Sequence, residues 1–447
     1  MPTAMKTATP YSFEGFDFDL LRHSYITRAN ALQLNPWVDL PDWVQADPAG
    51  SLKGCKIVLC GSKMPGELRF LANHCEVIGI VDDFLLRSQQ ECMGIPVLST
   101  DQWITLAQSD ADIVSIIAVA TVAGDNHFSR AMAQNGLRGL RMLEAFRILT
   151  ANTKRVSGVG NTFVYGLPFF RHAVQHVDQF LRCAQLLDDP YSRFTYFSIL
   201  NYRLSADPRI LQQCAVGYNT DRIGHGSYLF NRSFFTFSDE EIFVDGGAFD
   251  GDSVEQFLRA VKGRFRKIYA FEPSPDVAQR CRERICRLQA EYLPELVSRI
   301  AVVERGLWSK EANLLFNPTQ YAPKETALAS QAPLAGHVIE AGMSQHLYAP
   351  EEESDGSFSI PTTSIDAACE LPPSLIKLEV EGSELKALEG ARNTIERHRP
   401  KMAISVYHKP EDLITLLDFV AQTGKEYRMS LRQHNPHVPD AMVCYCY

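Results

Sequence analysis

The chain has 447 residues, more than one ordinary hydrophobic core organises, so we expect two or three domains. Its 45% hydrophobic and 22% charged residues are typical of a soluble globular protein. A formal net charge of −9 without a basic stripe argues against nucleic acid as the main partner. No apolar run is long enough for a signal peptide or a membrane span. The 11 cysteines lack metal-ligand spacing, which favours reduced thiols in a cytoplasmic protein and no metal site.

The first part of the chain predicts an N-terminal arm followed by a Rossmann-like α/β domain. Residues 1–50 show no strong pattern, and we expect this arm to pack in part on the body through its apolar residues. Residues 51–145 alternate strand and helix patterns. Their elements are predicted as the strands Cys55–Cys60, Val77–Asp83 and Ile95–Leu98, the helix Thr100–Gln108, the strand Ile113–Ala120, the helix Asn126–Asn135 and a last strand Leu137–Leu143.

The turn after the first strand departs from the dinucleotide-binding pattern G-x-G-x-x-G. It keeps the first and third glycines, Gly61 and Gly66, but has Lys63 at the second. A glycine at that position lets the backbone contact a pyrophosphate, so the lysine argues against ordinary NAD binding. A strand ending in VDD and the phrase GIPV resemble Rossmann-like domains found beside sugar-tailoring enzymes. The resemblance implies a nucleotide-binding-like fold for residues 51–145.

Residues 146–238 predict a helical connector between two α/β units. Apolar residues follow a nearly helical spacing between Pro168 and Leu187. The stretch from Tyr191 to Leu204 is too rich in aromatic residues for an exposed linker. We therefore expect the connector to be packed and to join the two units rigidly.

The segment from residue 241 to residue 253 carries the clearest chemistry, because a buried strand is followed there by a turn of small residues and a helix start. Asp245, Asp250 and Asp252 crowd this turn, where a dinucleotide would put its pyrophosphate. A helix N-terminus attracts anions, but three carboxylates would repel a diphosphate. They suit a cofactor with an ammonium and a sulfonium group, which is S-adenosylmethionine.

Strand and helix patterns continue to the end of the chain, so residues 239–447 predict a mainly parallel sheet covered on both faces. The strand Arg266–Pro273 ends in Glu272, at about the spacing for an acid that accepts both ribose hydroxyls. Residues 320–356 lack a clean period and are expected to form a lid or a surface insertion. The other elements are predicted as the helix Asp276–Leu288, the strands Arg299–Trp308, Leu375–Gly382 and Lys401–Tyr407, the helix Glu411–Gln422 and the strands Glu426–Arg432 and Ala441–Tyr447.

Four motifs in this region, FVDGGAFDGDS, YAFEPSPD, IKLEVEGSELKALEGA and ISVYHKPEDL, occur in order. With them, residues 239–447 resemble the FkbM family of S-adenosylmethionine-dependent methyltransferases. The resemblance implies a class I methyltransferase fold, so we expect an α/β protein with two Rossmann-like parallel-sheet domains joined by a helical segment. It also implies O-methylation of a hydroxylated small molecule or glycan. Glu379 departs from the family pattern IKxDVEG, in which Asp carries this carboxylate.

Chemistry and the resemblance together give each residue an expected role. Asp245 would orient the turn and the methionine ammonium, and Glu272 would hold the ribose. For a hydroxyl acceptor, His408 is the candidate base, because the pKa of histidine ordinarily lies near neutral pH. His408 and Glu379 are therefore the expected catalytic residues. The expected cofactor-binding residues are Asp245, Gly246, Gly247, Ala248, Asp250, Gly251, Asp252, Ser253, Glu272, Pro273, Glu304 and Arg305 (at the adenine edge), and Glu381 (at the methyl-donor end).

Alternatives stay open at this point. Asp245 could cap a helix, Glu272 could be a solvated strand end, and His408 could be a satisfied structural histidine. Glu379 and Glu381 would be a repulsive pair without a ligand. The whole chain could instead be an NAD(P)- or nucleotide-sugar-binding oxidoreductase, or a non-catalytic assembly protein. The N-terminal domain could bind a nucleotide-like ligand or part of the acceptor, or act as the scaffold of a homo-oligomer.

Overall fold

The computed structural model describes residues 18–61, 65–119, 121–151, 166–217, 227–288, 298–317, 337–339 and 358–447. Within these ranges the chain is an α/β protein with two large, mainly parallel sheets, which confirms the predicted fold class. No described helix is both long and apolar enough to cross a membrane. The described α-helices are Phe18–Leu34, Asp42–Gln45, Pro65–His74, Thr100–Ser109, Val122–Asn135, Met142–Leu149, Leu167–Gln175, Val177–Cys183, Pro190–Ser205, Pro208–Cys214, Asp252–Ala260, Pro275–Leu288, Ile365–Ala368, Glu384–Glu389, Arg392–His398 and Asp412–Thr423.

Six strands form the first large sheet. They are β1 (Lys56–Cys60), β2 (Glu76–Val81), β3 (Glu91–Cys92), β4 (Ile95–Leu98), β5 (Ile113–Ile117) and β6 (Gly139–Arg141). Their order is β3–β4–β2–β1–β5–β6, and all neighbours are parallel except the β3–β4 hairpin. The five parallel strands thus have the order of a doubly wound sheet, with its reversal between β1 and β5.

The end of this sheet differs from the prediction. Only Gly139–Arg141 of the expected last strand pairs with β5, and the chain turns into a helix at Met142. The carboxylate of Glu144 accepts the N–H of Arg141 at 2.7 Å and so closes the first helical turn. The helix continues to Leu149, so the domain limit predicted after residue 145 falls inside a regular element.

The connector is mainly helical between residues 167 and 214, and it packs on both of its neighbours. The helix Pro190–Ser205 is buried along most of its length, as its aromatic content predicts. Its Asn201 amide donates to the carbonyl of Leu21 in the first helix at 2.9 Å. Its Arg203 guanidinium donates to the carbonyl of Pro410, in the C-terminal unit, at 2.9 Å. These contacts join the arm, the connector and the C-terminal unit.

Eleven strands follow in the C-terminal unit. They are β7 (Ile242–Gly246), β8 (Lys267–Phe271), β9 (Ile300–Val303), β10 (Gly306–Leu307), β11 (Ala312–Asn317), β12 (His337–Ile339), β13 (Phe358–Thr363), β14 (Leu375–Leu378), β15 (Lys401–Ser405), β16 (Met429–Gln433) and β17 (Met442–Cys446). Seven of them form a sheet in the order β16–β17–β15–β14–β7–β8–β9, in which only β17 runs antiparallel. The order reverses between β7 and β14. The carboxyl ends of parallel strands open a ligand crevice at such a reversal.

A small second sheet, β10–β13–β11–β12, was not predicted. It explains why the strand expected at Arg299–Trp308 is divided. The Arg305 N–H donates back to the Val303 carbonyl at 2.9 Å, so the chain turns between β9 and β10, which belong to different sheets. Apart from β12, the predicted lid or insertion at residues 320–356 lies outside the described residues, as does Lys63.

Candidate functional site

The turn after β7 lies against the end of β14 so closely that only glycine fits. Gly247 has a φ of +72°, and a Cβ there would lie 2.0 Å from the carbonyl oxygen of Glu379. The N–H groups of Gly247 and Ala248 both donate to the carbonyl of Phe271 on β8, at 3.1 and 2.9 Å. Gly251, with a φ of +87°, then leads into the helix that starts at residue 252. The predicted glycine turn therefore lies at the point where the strand order reverses.

Asp245 is completely buried at the end of β7. Its Oδ2 accepts a hydrogen bond from the hydroxyl of Ser253, in the first turn of the following helix. Its Oδ1 lies 3.1 Å from Nζ of Lys377. Both oxygens therefore face partners inside the protein. This arrangement favours an anchoring role for Asp245 over direct contact with a ligand.

Lys377 is the residue that the sequence reasoning missed. It pairs with Asp245 in the register of β14 and β7, and its side chain is only 3% exposed. Nζ donates to the carbonyl of Gly247 at 2.7 Å and lies 3.8 Å from a carboxylate oxygen of Glu379. Burial alone would lower the pKa of this ammonium, but the carboxylates of Asp245, Glu379 and Asp252 raise it. A lysine inside an apolar strand was the available signal, because a buried charge requires a partner.

Of the other two aspartates in the turn, Asp250 is paired with an arginine, whereas Asp252 lies near other carboxylates. Asp250 forms an ion pair with Arg284, with Nη2 and Oδ2 2.5 Å apart, and its carbonyl accepts from Nε of the same guanidinium at 3.0 Å. Burial raises the pKa of Asp252, and the nearby carboxylates of Asp245 and Asp250 add to the effect. Two of the three predicted repulsive carboxylates are thus already paired with cations, which the sequence reasoning did not foresee.

Glu272 lies at the carboxyl end of β8, next to the turn, and is 7% exposed. Its two oxygens accept the backbone N–H groups of Phe249, at 3.1 Å, and Ser274, at 2.9 Å. Burial raises the pKa of this carboxyl to about 7, although both hydrogen bonds oppose the shift. Glu272 is therefore an oriented, buried acid and not a solvated strand end.

Glu379 and Glu381 are each held near a buried cation, so they are not the bare repulsive pair that alternation suggested. Glu379 accepts the hydroxyl of Tyr407 at 2.9 Å in addition to its contact with Lys377. Glu381 lies 3.6 Å from Nε2 of His408. Its φ of +53° is unusual for a residue with a side chain, and such strain clusters at functional sites.

His408 differs from the expected base. Its side chain is 4% exposed, and Nδ1 lies 2.9 Å from a carboxylate oxygen of the fully buried Glu384. Burial would lower the pKa of His408, but Glu384, with help from Glu381 and Asp412, raises it well above its usual range. The expectation of a pKa near neutrality is therefore wrong. An imidazolium has no lone pair for a proton, so the geometry supports a positioning role better than that of a base.

The residues predicted at the adenine edge lie on the surface. Glu304 and Arg305 follow β9 and are both exposed. Glu304 pairs with Arg282 at 2.5 Å, and Arg305 lies 3.7 Å from Glu311. The half-buried Pro273 ends the strand before them. The cofactor-binding roles of these three residues stay predictions.

Comparison with known proteins identifies the C-terminal unit. Residues 245–435 match the methyltransferase FkbM domain. This part of the chain is a methyltransferase domain of the FkbM family. The methyltransferase FkbM of Methylobacillus flagellatus KT is similar over 96% of this chain and 100% of its own, with 26% identity and a TM-score of 0.74.

A more distant solved structure is similar over about half of this chain. The precorrin-6y C5,15-methyltransferase of Geobacter metallireducens GS-15 matches 48% of this chain and 84% of its own, with 11% identity and a TM-score of 0.27. No curated protein matches the sequence.

Within the described residues, no group of three histidine, cysteine, aspartate or glutamate side chains is placed to hold a metal ion.

Proposed function

We propose that this methyltransferase uses S-adenosylmethionine and methylates an oxygen of a hydroxylated small molecule or glycan. The observation that carries the proposal is the tight turn after β7, which lies against the end of β14 and next to an oriented acid at the end of β8. The cofactor class rests on this site and on the FkbM domain. The acceptor class rests on the family resemblance alone.

The residues present fit the cofactor. Gly247 approaches Glu379 more closely than any larger residue could, which keeps the turn tight at the carboxyl edge of the sheet. Glu272 has hydroxyl-accepting oxygens next to the turn, and Glu379 and Glu381 supply carboxylates on side chains that are 26% exposed. When bound, the cofactor would supply an activated methyl group, so the protein has mainly to position two reactants in line.

A calorimetric titration of the whole chain tests the proposal. S-adenosylhomocysteine should bind and NAD should not. Binding of NAD without S-adenosylhomocysteine would favour the oxidoreductase alternative. Binding of neither would favour the assembly protein.

The affinity for S-adenosylhomocysteine should depend on pH through Glu272. An ionised carboxyl can accept hydroxyl groups with both oxygens, whereas the neutral acid keeps one good acceptor and turns the other oxygen into a donor, so binding favours the ionised form. Because the pKa of Glu272 is about 7, affinity should rise as the pH rises through that value. We expect the dissociation constant to be about tenfold higher at about pH 6 than at about pH 8, measured by calorimetry in matched buffers.

Glu272→Gln is the matched control for this pH dependence. It keeps the shape and one accepting oxygen but has no titrating group. Its affinity should be lower than that of the wild type at about pH 8 and nearly independent of pH. A wild-type affinity that is flat with pH, or the same slope in the variant, would remove Glu272 as the source.

For residues 51–145 we propose a scaffold role. Asp82, at the strand end where a dinucleotide-binding acid is expected, already accepts the N–H groups of Phe84 and Leu85 at 2.9 and 2.8 Å. Asp83 accepts the hydroxyl of Thr100 at 2.6 Å. These acids cap local structure instead of projecting free toward a ribose. A nucleotide-like ligand that stabilises the chain in a thermal-shift screen would contradict the scaffold proposal.

A further inference from the structure

We propose that Lys377 is the positioning residue of the cofactor turn, and that Asp245 serves mainly to hold this lysine in place. The inference rests on the proposed use of S-adenosylmethionine. It goes beyond the family assignment, because Lys377 and not Asp245 would orient the turn that holds the cofactor, although the acid was the expected residue.

The first step is the reach of the ammonium. A lysine has three donors, and Nζ of Lys377 has oxygen partners on three separate segments. They are the carboxylate of Asp245 ending β7, the carbonyl of Gly247 in the turn and the carboxylate of Glu379 following β14. One side chain therefore connects both walls of the crevice and the backbone between them.

The second step is the peptide unit between Gly247 and Ala248. Its carbonyl accepts from Lys377 at 2.7 Å, and its N–H donates to the carbonyl of Phe271 at 2.9 Å. Both polar groups are thus engaged, one by a side chain of β14 and the other by the backbone of β8. Without the ammonium this peptide would be held on one side only, at the position where Gly247 lies closest to Glu379.

The third step separates the two members of the pair. Asp245 makes no contact with the turn backbone comparable to that of Lys377, because its oxygens face Ser253 and Nζ. Loss of its charge should therefore disturb ligand binding less than loss of the lysine. A purely structural ion pair would instead predict that loss of either member has the same effect on ligand binding.

The test compares Asp245→Asn with the double variant Asp245→Asn/Lys377→Met. Both lack the aspartate charge, so they differ only in the lysine. Binding of S-adenosylhomocysteine is measured by calorimetry at a temperature where circular dichroism finds each variant folded. We expect Asp245→Asn to stay within a few-fold of the wild type, and the double variant to bind about tenfold more weakly or worse, as for loss of one charged hydrogen bond.

Lys401→Met is the matched control. Lys401 forms a comparable half-buried pair with Glu241, 2.6 Å apart, at the amino edge of the same sheet. This variant should lose thermal stability but keep its affinity for S-adenosylhomocysteine. Equal affinities of Asp245→Asn and the double variant would overturn the inference. Failure of the wild type to bind would instead overturn the proposed function, and this inference with it.

Discussion

Replacing His408 with leucine is expected to lower the free energy of unfolding by about 3–5 kcal/mol at neutral pH. The imidazolium is 4% exposed and faces Glu384, which is fully buried. Removal of the cation leaves that carboxylate in the protein interior with its main counter-charge gone. Chemical denaturation, followed by fluorescence, measures the change. A variant that is as stable as the wild type would contradict the buried ion pair.

The pH dependence of this loss has a defined sign. The pKa of His408 is raised above 6.5. Its contribution to the free energy of unfolding is therefore complete below about pH 6.5 and is lost as the pH rises through the raised value. Burial would raise the pKa of Glu384, but His408 lowers it overall. The contribution of Glu384 is present above 4.5 and is lost as the pH falls through the lowered value. The destabilisation by His408→Leu should therefore be largest between about pH 4.5 and about pH 6.5, and it should shrink as the solution becomes alkaline.

His434 offers a matched control, since it is a buried histidine without charge. Burial lowers its pKa to about 4, and its ring nitrogens lie 3.0 Å from the carbonyl of Gly217 and 2.8 Å from the hydroxyl of Tyr445. The cost of His434→Leu should not change between neutral and alkaline pH, because the ring is already neutral there. The same alkaline behaviour in both variants would mean that the charge on His408 is not responsible.

The double variant His408→Leu/Glu384→Leu tests the same point from the partner's side. Exchange of a whole buried pair for apolar residues is often neutral or stabilising, whereas removal of one member is costly. We expect the double variant to be more stable than His408→Leu alone. If both are equally unstable, the histidine contributes through packing and not through its charge.

The sequence predicted the strands of the seven-stranded sheet well, because each is a short apolar run that ends in turn residues, but it missed the small second sheet. It also brought Asp245, Gly247 and Glu272 to one crevice, since the carboxyl ends of parallel strands meet at one edge of a sheet. It did not predict the partner of Asp245. That partner depends on the register between β14 and β7, which pairs residues more than a hundred positions apart along the chain. No local pattern encodes that register.

The same limit explains the error over His408. A histidine after a strand was expected to titrate near neutrality, but its pKa is set by Glu384, which lies on the helix that follows the neighbouring strand. In the same way, Arg284 of the helix Pro275–Leu288 pairs with Asp250 in the turn after β7 and is only 28% exposed, which no local pattern indicates. Residue types at strand ends are thus readable from sequence. The charge that each retains is decided by long-range pairs.

The crevice is therefore not lined by uncompensated acids alone, because cations lie beside several of its carboxylates. Lys377 and Arg284 compensate two aspartates of the turn, and His408 lies beside Glu381. Glu272 and Glu379 remain next to the glycine turn with oxygens directed by backbone N–H groups and a tyrosine hydroxyl. This balance lets the acids approach one another in a folded site, since uncompensated neighbours would raise each other's pKa.

Gly247→Ala is expected to abolish binding of S-adenosylhomocysteine and to lower the free energy of unfolding by about 3 kcal/mol or more. Two costs add at this position. The backbone φ of +72° is unfavourable for alanine, and the new Cβ would lie 2.0 Å from the carbonyl oxygen of Glu379. That oxygen is backbone and cannot rotate away, so the turn and the end of β14 would have to separate. Calorimetry and chemical denaturation measure the two effects.

Gly54→Ala separates the two costs. Gly54 has nearly the same φ, +75°, but nothing lies within 4 Å of the position that a Cβ would take. It should lose only about 1–2 kcal/mol, the cost of a left-handed backbone for an L-residue, and should bind S-adenosylhomocysteine as the wild type does. If Gly247→Ala is no more destabilising than Gly54→Ala and still binds the ligand, the contact between Gly247 and the carbonyl of Glu379 is not required to be tight for binding. The cofactor would then have to lie elsewhere on the carboxyl edge of the sheet.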